Sequence, residues 1–325
     1  ELEIEKVKAL NDHEWDFEAH MSLSQWTTLH VQWWKDNIAT SVFSLVAPPN
    51  RKQIHLFTDA SNAGWGVYFP STKSKSGGLW DPREQTFHIN LKEICAVWFG
   101  VQIYYKNLQN CTVHIHTDNQ VALYGLRQQG STRSLLCNKY IAKIMQFLEE
   151  RQLHLVVSYV RSELNCEADR ASRLYEHDLE WSIPSEIFTK ICKKWGTPQI
   201  DLFASRINHR VPRYCSWKPD PYAYAIDAFA LDWDEFDLIY IFAPFSLITS
   251  VLKTFMEQDP QHAADAIFVY PRWTAQPWRP VVQQLQTQPP MEISSQDLVL
   301  HHAPLQQHNL KFRLLINKLS VKNLK

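Results

Sequence analysis

Hydrophobic and polar positions alternate in QIHLFTD (53–59), which predicts a strand that ends in an aspartate. WGVYF follows a turn around Asn62, Ala63 and Gly64 and makes a second strand, so the two form a hairpin. The Ser/Lys/Gly stretch 71–78 reads as a loop and GLWDPREQTFHIN as a third strand. LKEICAVWFGVQIYYKNL is helical, with Asn90 expected as its N-cap. CTVHIHTD is a fourth strand, residues 120–151 read as two helices broken at Gln129 and Gly130, LHLVVSYV is a fifth strand, and CEADRASRLY is a helix. The order β-β-β-α-β-α-α-β-α predicts a mixed five-stranded sheet with helices on its faces.

Periodicity divides the rest of the chain. Residues 1–50 are helical in pattern, with Trp26, His30 and Trp33 at i, i+4 and i+7; packing is the simplest use of such a stripe. The pattern restarts beyond 176–184, with a helix near 187–195 and strands in QIDLF, DLIYIFAPF and AADAIFVYP, which predicts a second, smaller α/β domain over 185–282. Residues 283–309, rich in Gln, Pro and His, read as a linker, and the tail from Lys311 as a solvated amphipathic helix with five basic residues and no acidic one.

Composition narrows the class. The formal net charge of -1 argues against a basic coat for non-specific nucleic-acid binding but leaves room for a local groove. Thirteen tryptophans are expected mostly in cores, and six cysteines with neither a CxxC pair nor zinc spacing read as buried free thiols of a reducing compartment. The expected location is therefore intracellular, nucleus or cytoplasm. No signal peptide is visible and no apolar run reaches membrane length, so no membrane partner is expected. The chain starts without Met inside a helical pattern, as a fragment of a longer polyprotein would.

Candidate chemistry lies in four acids. HLFTD and HIHTD are the same alternation ending in the same TD; if these strands are parallel neighbours, Asp59 and Asp118 emerge at one edge. Glu93, expected in the first helical turn, and Asp169, one turn after Asn165, can face that edge. Four such acids repel one another unless cations neutralise them, and an oxygen-only set suits two Mg²⁺ or Mn²⁺ ions arranged for in-line phosphodiester displacement. Any one acid alone is more simply a surface residue; the joint order is what carries the reading.

TDASNAGWGV, HINLKEICAV, HTDNQVALYGLRQQGSTRS and NCEADRASR together resemble the ribonuclease H family, and more finely the ribonuclease H of DIRS-type (tyrosine-recombinase) retrotransposons, over 51–175. The resemblance implies that Asp59, Glu93, Asp118 and Asp169 are the catalytic metal ligands for hydrolysis of the RNA strand of an RNA–DNA hybrid, with 2′-hydroxyl recognition. Asn62, Asn90, Asn119 and Gln120 are its polar neighbours, able to bind substrate or to serve as turn and cap residues, and Tyr159 is a further candidate substrate contact. It also implies an upstream reverse transcriptase as partner, and LSQWTTLHVQWWKDNI resembles the segment between polymerase and ribonuclease H. Where the family often carries His-x-x-Gly, this chain has Tyr159, Val160, Arg161 and Ser162, and a tyrosine cannot shuttle protons near neutral pH.

Residues after 198 resemble the domain that follows ribonuclease H in those elements, itself similar to adenine DNA methyltransferases of the Dam type. Asp201, Asn208, Asp227 and Phe245 are the matched pocket positions. Phe242 replaces the side chain that would accept a hydrogen bond from adenine, so methyl transfer is not expected and a degenerate, structural module is. Two other readings stay open: a catalytically inactive, domesticated module that holds nucleic acid or protein, and a transposase or integrase, which the position of Glu93 between two aspartates disfavours.

Overall fold

In the computed structural model the described residues are 2–40, 51–130, 134–173, 181–300 and 312–323. The chain divides into two compact units, Glu1–Tyr175 and Glu176–Lys325.

The first unit opens with helices α1 (Leu2–Asp12) and α2 (Gln25–Asn37). Trp26, Trp33 and Trp34 of α2 are about half exposed, so the stripe expected to pack leaves much of its apolar surface uncovered. A five-stranded sheet follows in the order β3-β2-β1-β4-β5, with β1 Lys52–Ala60, β2 Gly64–Phe69, β3 Ser74–Leu79, β4 Cys111–Thr117 and β5 His154–Tyr159. Strands β1, β4 and β5 are parallel; β1–β2 and β2–β3 are antiparallel. The third strand thus lies in the stretch read as a loop. The segment read as that strand instead makes a one-turn helix, α3 (Pro82–Gln85). Its cause is local: Asp81 and Glu84 form a reciprocal capping box and Pro82 suits the first helical position.

Helix α4 (Ile89–Tyr104) is hydrophobic almost all round and is buried along most of its length. With α5 (Gln120–Arg127) and α6 (Leu135–Glu150) it belongs to a core that takes Ile54, Leu56, Val113, Ile115 and Val157 from the sheet. The opposite face receives α7 (Cys166–Arg173). That helix lies directly on backbone: a Cβ on Gly66 would meet Ala168 O at 2.2 Å, and one on Gly77 would meet Ala171 O at 2.3 Å.

The second unit has its own five-stranded sheet, order β12-β14-β11-β10-β7. The strands are β7 (Ile200–Asp201), β10 (Leu238–Ile241) and β11 (Asp265–Pro271), all parallel, with β14 (Arg313–Leu319) antiparallel to β11 and to β12 (Met291–Ser294). Short pairs join β6 (Trp181–Ser182) to β13 (Val299–Leu300) and β8 (Cys215–Ser216) to β9 (Ala225–Ile226). Side chains of β10 and β11 alternate between two cores. Tyr240, Ile267 and Val269 meet α8 (Ser185–Trp195); Ile239, Ile241 and Phe268 join the cluster that contains α9 (Ile248–Met256) and α10 (Arg279–Leu285). The expected boundary at 282 therefore fails. The segment read as a linker supplies β12 and β13, and the tail read as a helix supplies β14. Leu314, Leu315, Ile316 and Leu319 are buried there, while Lys318 pairs with Asp265 at 2.9 Å. The basic residues hid a two-sided apolar strand, RLLINKL.

No described helix is long and apolar enough to cross a membrane. All six cysteines are free; Cys95, Cys111, Cys137 and Cys215 are buried as expected, whereas Cys166 is exposed.

Candidate metal centre

The parallel register of β1 and β4 pairs His55 with His114 and Phe57 with His116. Two residues further on, each strand reaches its aspartate at the same rim. Glu93 comes from α4. The helix starts two residues earlier than expected, with His88 as N-cap and Asn90 inside the first turn, so Glu93 is the fifth helical residue and stands in the second turn. One carboxylate oxygen from each of Asp59, Glu93 and Asp118 lies within 4.8 Å of the others.

Asp59 and Glu93 are nearly inaccessible, at 4% and 5% exposure. Burial raises the Asp59 carboxyl to about 6 against the donor Ser172, with Asp118 and Asp169 adding repulsion. Burial raises Glu93 further, to about 9, and the charges of Asp59 and Asp118 add to it. Glu93 Oε2 is buried and has no hydrogen-bond partner. A buried, unpartnered acceptor that faces two like charges is costly unless a proton or a cation answers it. Hard carboxylate oxygens, an open oxygen and a shared rim fit a divalent ion such as Mg²⁺ or Mn²⁺.

Asp169 does not join this trio. Its Oδ1 accepts Arg173 Nε at 2.7 Å, one turn along α7, and the pair is partly exposed. Asp169 is still near enough to raise Asp59. Ser172 Oγ donates to Asp59 Oδ2 at 2.5 Å, and Ser162 Oγ donates to Asp118 Oδ2 at 2.6 Å. Asn165 Nδ2 donates to Thr58 O at 3.0 Å and pins the start of α7 to β1. Sequence reading missed Ser162, Ser172 and Arg173. For the last two a signal existed: spacings of three and four from Asp169 share its helical face.

The polar neighbours are mostly structural. Asn119 Oδ1 caps α5 by accepting Ala122 N–H at 2.9 Å, and its Nδ2 donates to Asn90 Oδ1 at 3.1 Å. Asn62 sits in the β1–β2 turn, where its carbonyl accepts the buried Lys92 Nζ at 2.8 Å. Gln120 and Tyr159 are exposed.

In the second unit, a cavity of about 550 Å³ lies outside the carboxyl ends of β7 and β10, lined by aromatic rings that include Trp181, Phe203, Phe242 and Phe245. Asn208, Asp227 and Phe245 line it; Asp201 does not. Asp201 is buried and ties β7 to the loop beyond it by accepting Arg210 N–H at 3.0 Å. Asn208 Oδ1 accepts Ser205 N–H at 2.7 Å and Asp227 Oδ1 accepts Phe229 N–H at 3.0 Å, so both cap loops.

Residues 50–150 match the family described as the RNase H-like domain found in reverse transcriptase. This segment has an RNase H-like fold. Solved structures similar to the chain include RNase H1 from the archaeon Halobacterium salinarum NRC-1, at 16% identity over 37% of this chain and 96% of that one, with a TM-score of 0.29. Another is LC11-RNase H1, from a compost metagenome, in complex with an RNA/DNA hybrid, at 18% identity over 37% and 91%, TM-score 0.30. A foamy viral protease-reverse transcriptase in complex with double-stranded DNA matches at 9% identity over 49% of this chain and 30% of that one, TM-score 0.24. No curated protein matches the chain. The match spans β1 to β4 and α3 to α6 of the first unit; β5, α7 and the whole second unit lie beyond the matched residues.

Proposed function

We propose that the chain is a retroelement-type ribonuclease H that hydrolyses the RNA strand of RNA–DNA hybrids with two divalent ions, and that it derives from a DIRS-type polyprotein with an upstream reverse transcriptase. The observation that carries this reading is the convergence of Asp59, Glu93 and Asp118 at one rim with Glu93 Oε2 buried and unpartnered. These three residues hold the first ion, and Asp169 is the fourth ligand. Bound ions supply an activated water and charge stabilisation for in-line displacement. The chain's own part is orientation: Ser172 and Ser162 each fix one oxygen of an aspartate and leave the other for the ion. Asn165 holds α7 against β1, so the donors and acceptors move as one body.

Cleavage of an end-labelled RNA–DNA hybrid in Mg²⁺ and in Mn²⁺, with Asp118→Asn as control, tests the assignment. RNA-strand products from wild type and none from the variant are expected; no product in either metal sinks it. A second reading, an inactive domesticated module that holds nucleic acid, draws on the Asp169–Arg173 pair and on Tyr159. It predicts hybrid binding without cleavage. For the second unit we propose a structural, methyltransferase-derived role. Phe242 offers no acceptor at the cavity, and Asp201 serves the backbone. Calorimetric binding of S-adenosylmethionine would overturn that role.

A further inference from the structure

Each of the three aspartates at the rim takes a donor from the stretch between Ser162 and Arg173, but the donors differ in kind. Asp118 and Asp59 receive neutral hydroxyls from Ser162 and Ser172. Asp169 receives a guanidinium, with Arg173 Nε at 2.7 Å from Oδ1. A hydroxyl leaves the charge of a carboxylate intact for a cation. A guanidinium neutralises it and repels any cation that approaches. The spacing of four residues on one helix holds the pair together without any help from substrate. Glu93 is the opposite case, a nine-tenths-buried carboxylate with one oxygen left unpartnered, and it converges with Asp59 and Asp118.

We infer that Arg173 is a positioning residue that withholds Asp169 from the metal centre, so that the site fills in two unequal steps: one ion at Asp59, Glu93 and Asp118, and a second only when it displaces Arg173 from Asp169. The inference rests on the metal-centre reading above. Arg173 acts as a built-in competitor for the second ion, and it sets the divalent-ion concentration at which the fourth ligand joins.

The test is a calorimetric titration of the full chain with Mn²⁺ and no nucleic acid, with bound ions counted by electron paramagnetic resonance. Wild type is expected to show one stronger step and one weaker step. Arg173→Met, which keeps the aliphatic stem, is expected to tighten the weaker step about three- to tenfold and to leave the stronger within twofold. Arg173→Lys keeps the charge and is expected to keep the wild-type pattern. Asp169→Asn is expected to remove the weaker step alone, and it supplies an arm that does not depend on any Arg173 variant folding. Two equal steps in wild type, an unchanged weaker step in Arg173→Met, or a weaker step that survives Asp169→Asn overturns the inference while leaving the metal centre standing. Absence of any bound Mn²⁺ in wild type sinks the metal-centre reading, and the inference with it.

Discussion

Both units place a buried aspartate at the carboxyl end of a parallel strand, Asp59 on β1 and Asp201 on β7, and the two put it to different uses. Around Asp59 stand Glu93, Asp118 and Asp169, and its donor is a single hydroxyl. Around Asp201 no second carboxylate converges among the described residues; the neighbours include the backbone N–H groups of Arg210 and Phe203, the Arg210 charge and the buried Tyr240. Glu93 and Asp201 each keep one buried oxygen without a hydrogen-bond partner. What separates the two sites is the sign of the surroundings: repulsion among like charges can be relieved by a divalent ion, whereas a lone carboxyl can simply hold its proton. The location in the fold is shared, so chemistry has to be read from the neighbours and not from the strand end.

The largest effect should come from swapping the same substitution between the rims. Asp118→Asn removes one converging oxygen charge, and hybrid cleavage is expected to fall by at least about a hundredfold, since a metal ligand is worth several kcal/mol of transition-state stabilisation. Asp201→Asn is expected to leave cleavage within a few-fold. Equal losses in both variants, measured as initial rates on labelled hybrid, would erase the contrast.

Next in size is Gly66→Ala. The new methyl would overlap Ala168 O and the Ser172 backbone nitrogen, so α7 must shift and carry Ser172 and Asp169 with it. A destabilisation of about 1–3 kcal/mol is expected for such overpacking, read from urea denaturation, together with a loss of Mn²⁺ affinity. A glycine at this position of β2 is explained by the close approach of backbone to backbone and not by a turn.

Divalent ions and pH sharpen the difference further. The folded-state carboxyls of Asp59 (about 6), Glu93 (about 9) and Asp201 (about 7) all lie above their ordinary values of 3.8, 4.5 and 3.8. The folded state therefore holds these protons more tightly than the unfolded chain. Stability is greatest below the unfolded values and falls as pH rises toward each folded value. Saturating Mg²⁺ is expected to remove the Asp59 and Glu93 share and to leave the Asp201 share, between about pH 4 and 7. Thermal unfolding across pH should show ion-dependent stabilisation growing upward from neutrality, about 2.7 kcal/mol at a hundredfold excess over the dissociation constant, with a chelator restoring the ion-free curve. Asp201→Asn should flatten the remaining slope without touching the ion effect. An Mg²⁺ effect that shrinks with rising pH would contradict the charge logic of the first rim.

The sheet of the first unit was legible because alternation in HLFTD and HIHTD is strong and both runs end at the rim. The third strand was not: SKSGGL has little apolar content of its own, and its Gly77 is set by the approach of α7, a tertiary fact. The convergence of Glu93 with both strand-end aspartates was legible in order and spacing. The withdrawal of Asp169 was invisible, because a helical i, i+4 pair reads as ordinary surface support. In the second unit the basic residues of RLLINKL masked a strand, since Lys318 finds Asp265 only once β11 lies alongside. The cavity residues Asn208 and Asp227 were placed by resemblance, yet their side chains are tied to loop backbone.

The smallest predicted effect concerns Ser162. Its hydroxyl holds Asp118 Oδ2 at 2.6 Å, and Asp118 is the most accessible of the three converging acids. Loss of one such hydrogen bond is worth about 1 kcal/mol, or roughly fivefold in the Mn²⁺ dissociation constant, because the carboxylate gains rotational freedom that binding must then remove. Ser162→Ala should weaken the stronger step and leave the weaker one in place, the reverse of Arg173→Met. Ser162→Thr, which keeps the hydroxyl, should restore it. The second unit offers the control: Ser205 donates its Oγ to Asn208 at 3.3 Å beside the aromatic cavity, far in chemistry from any carboxylate cluster, so Ser205→Ala should leave Mn²⁺ binding unchanged. If Ser162→Ala and Ser205→Ala alter Mn²⁺ binding alike, the donors at the first rim are packing groups, and Asp118 is oriented by the β4 strand end alone.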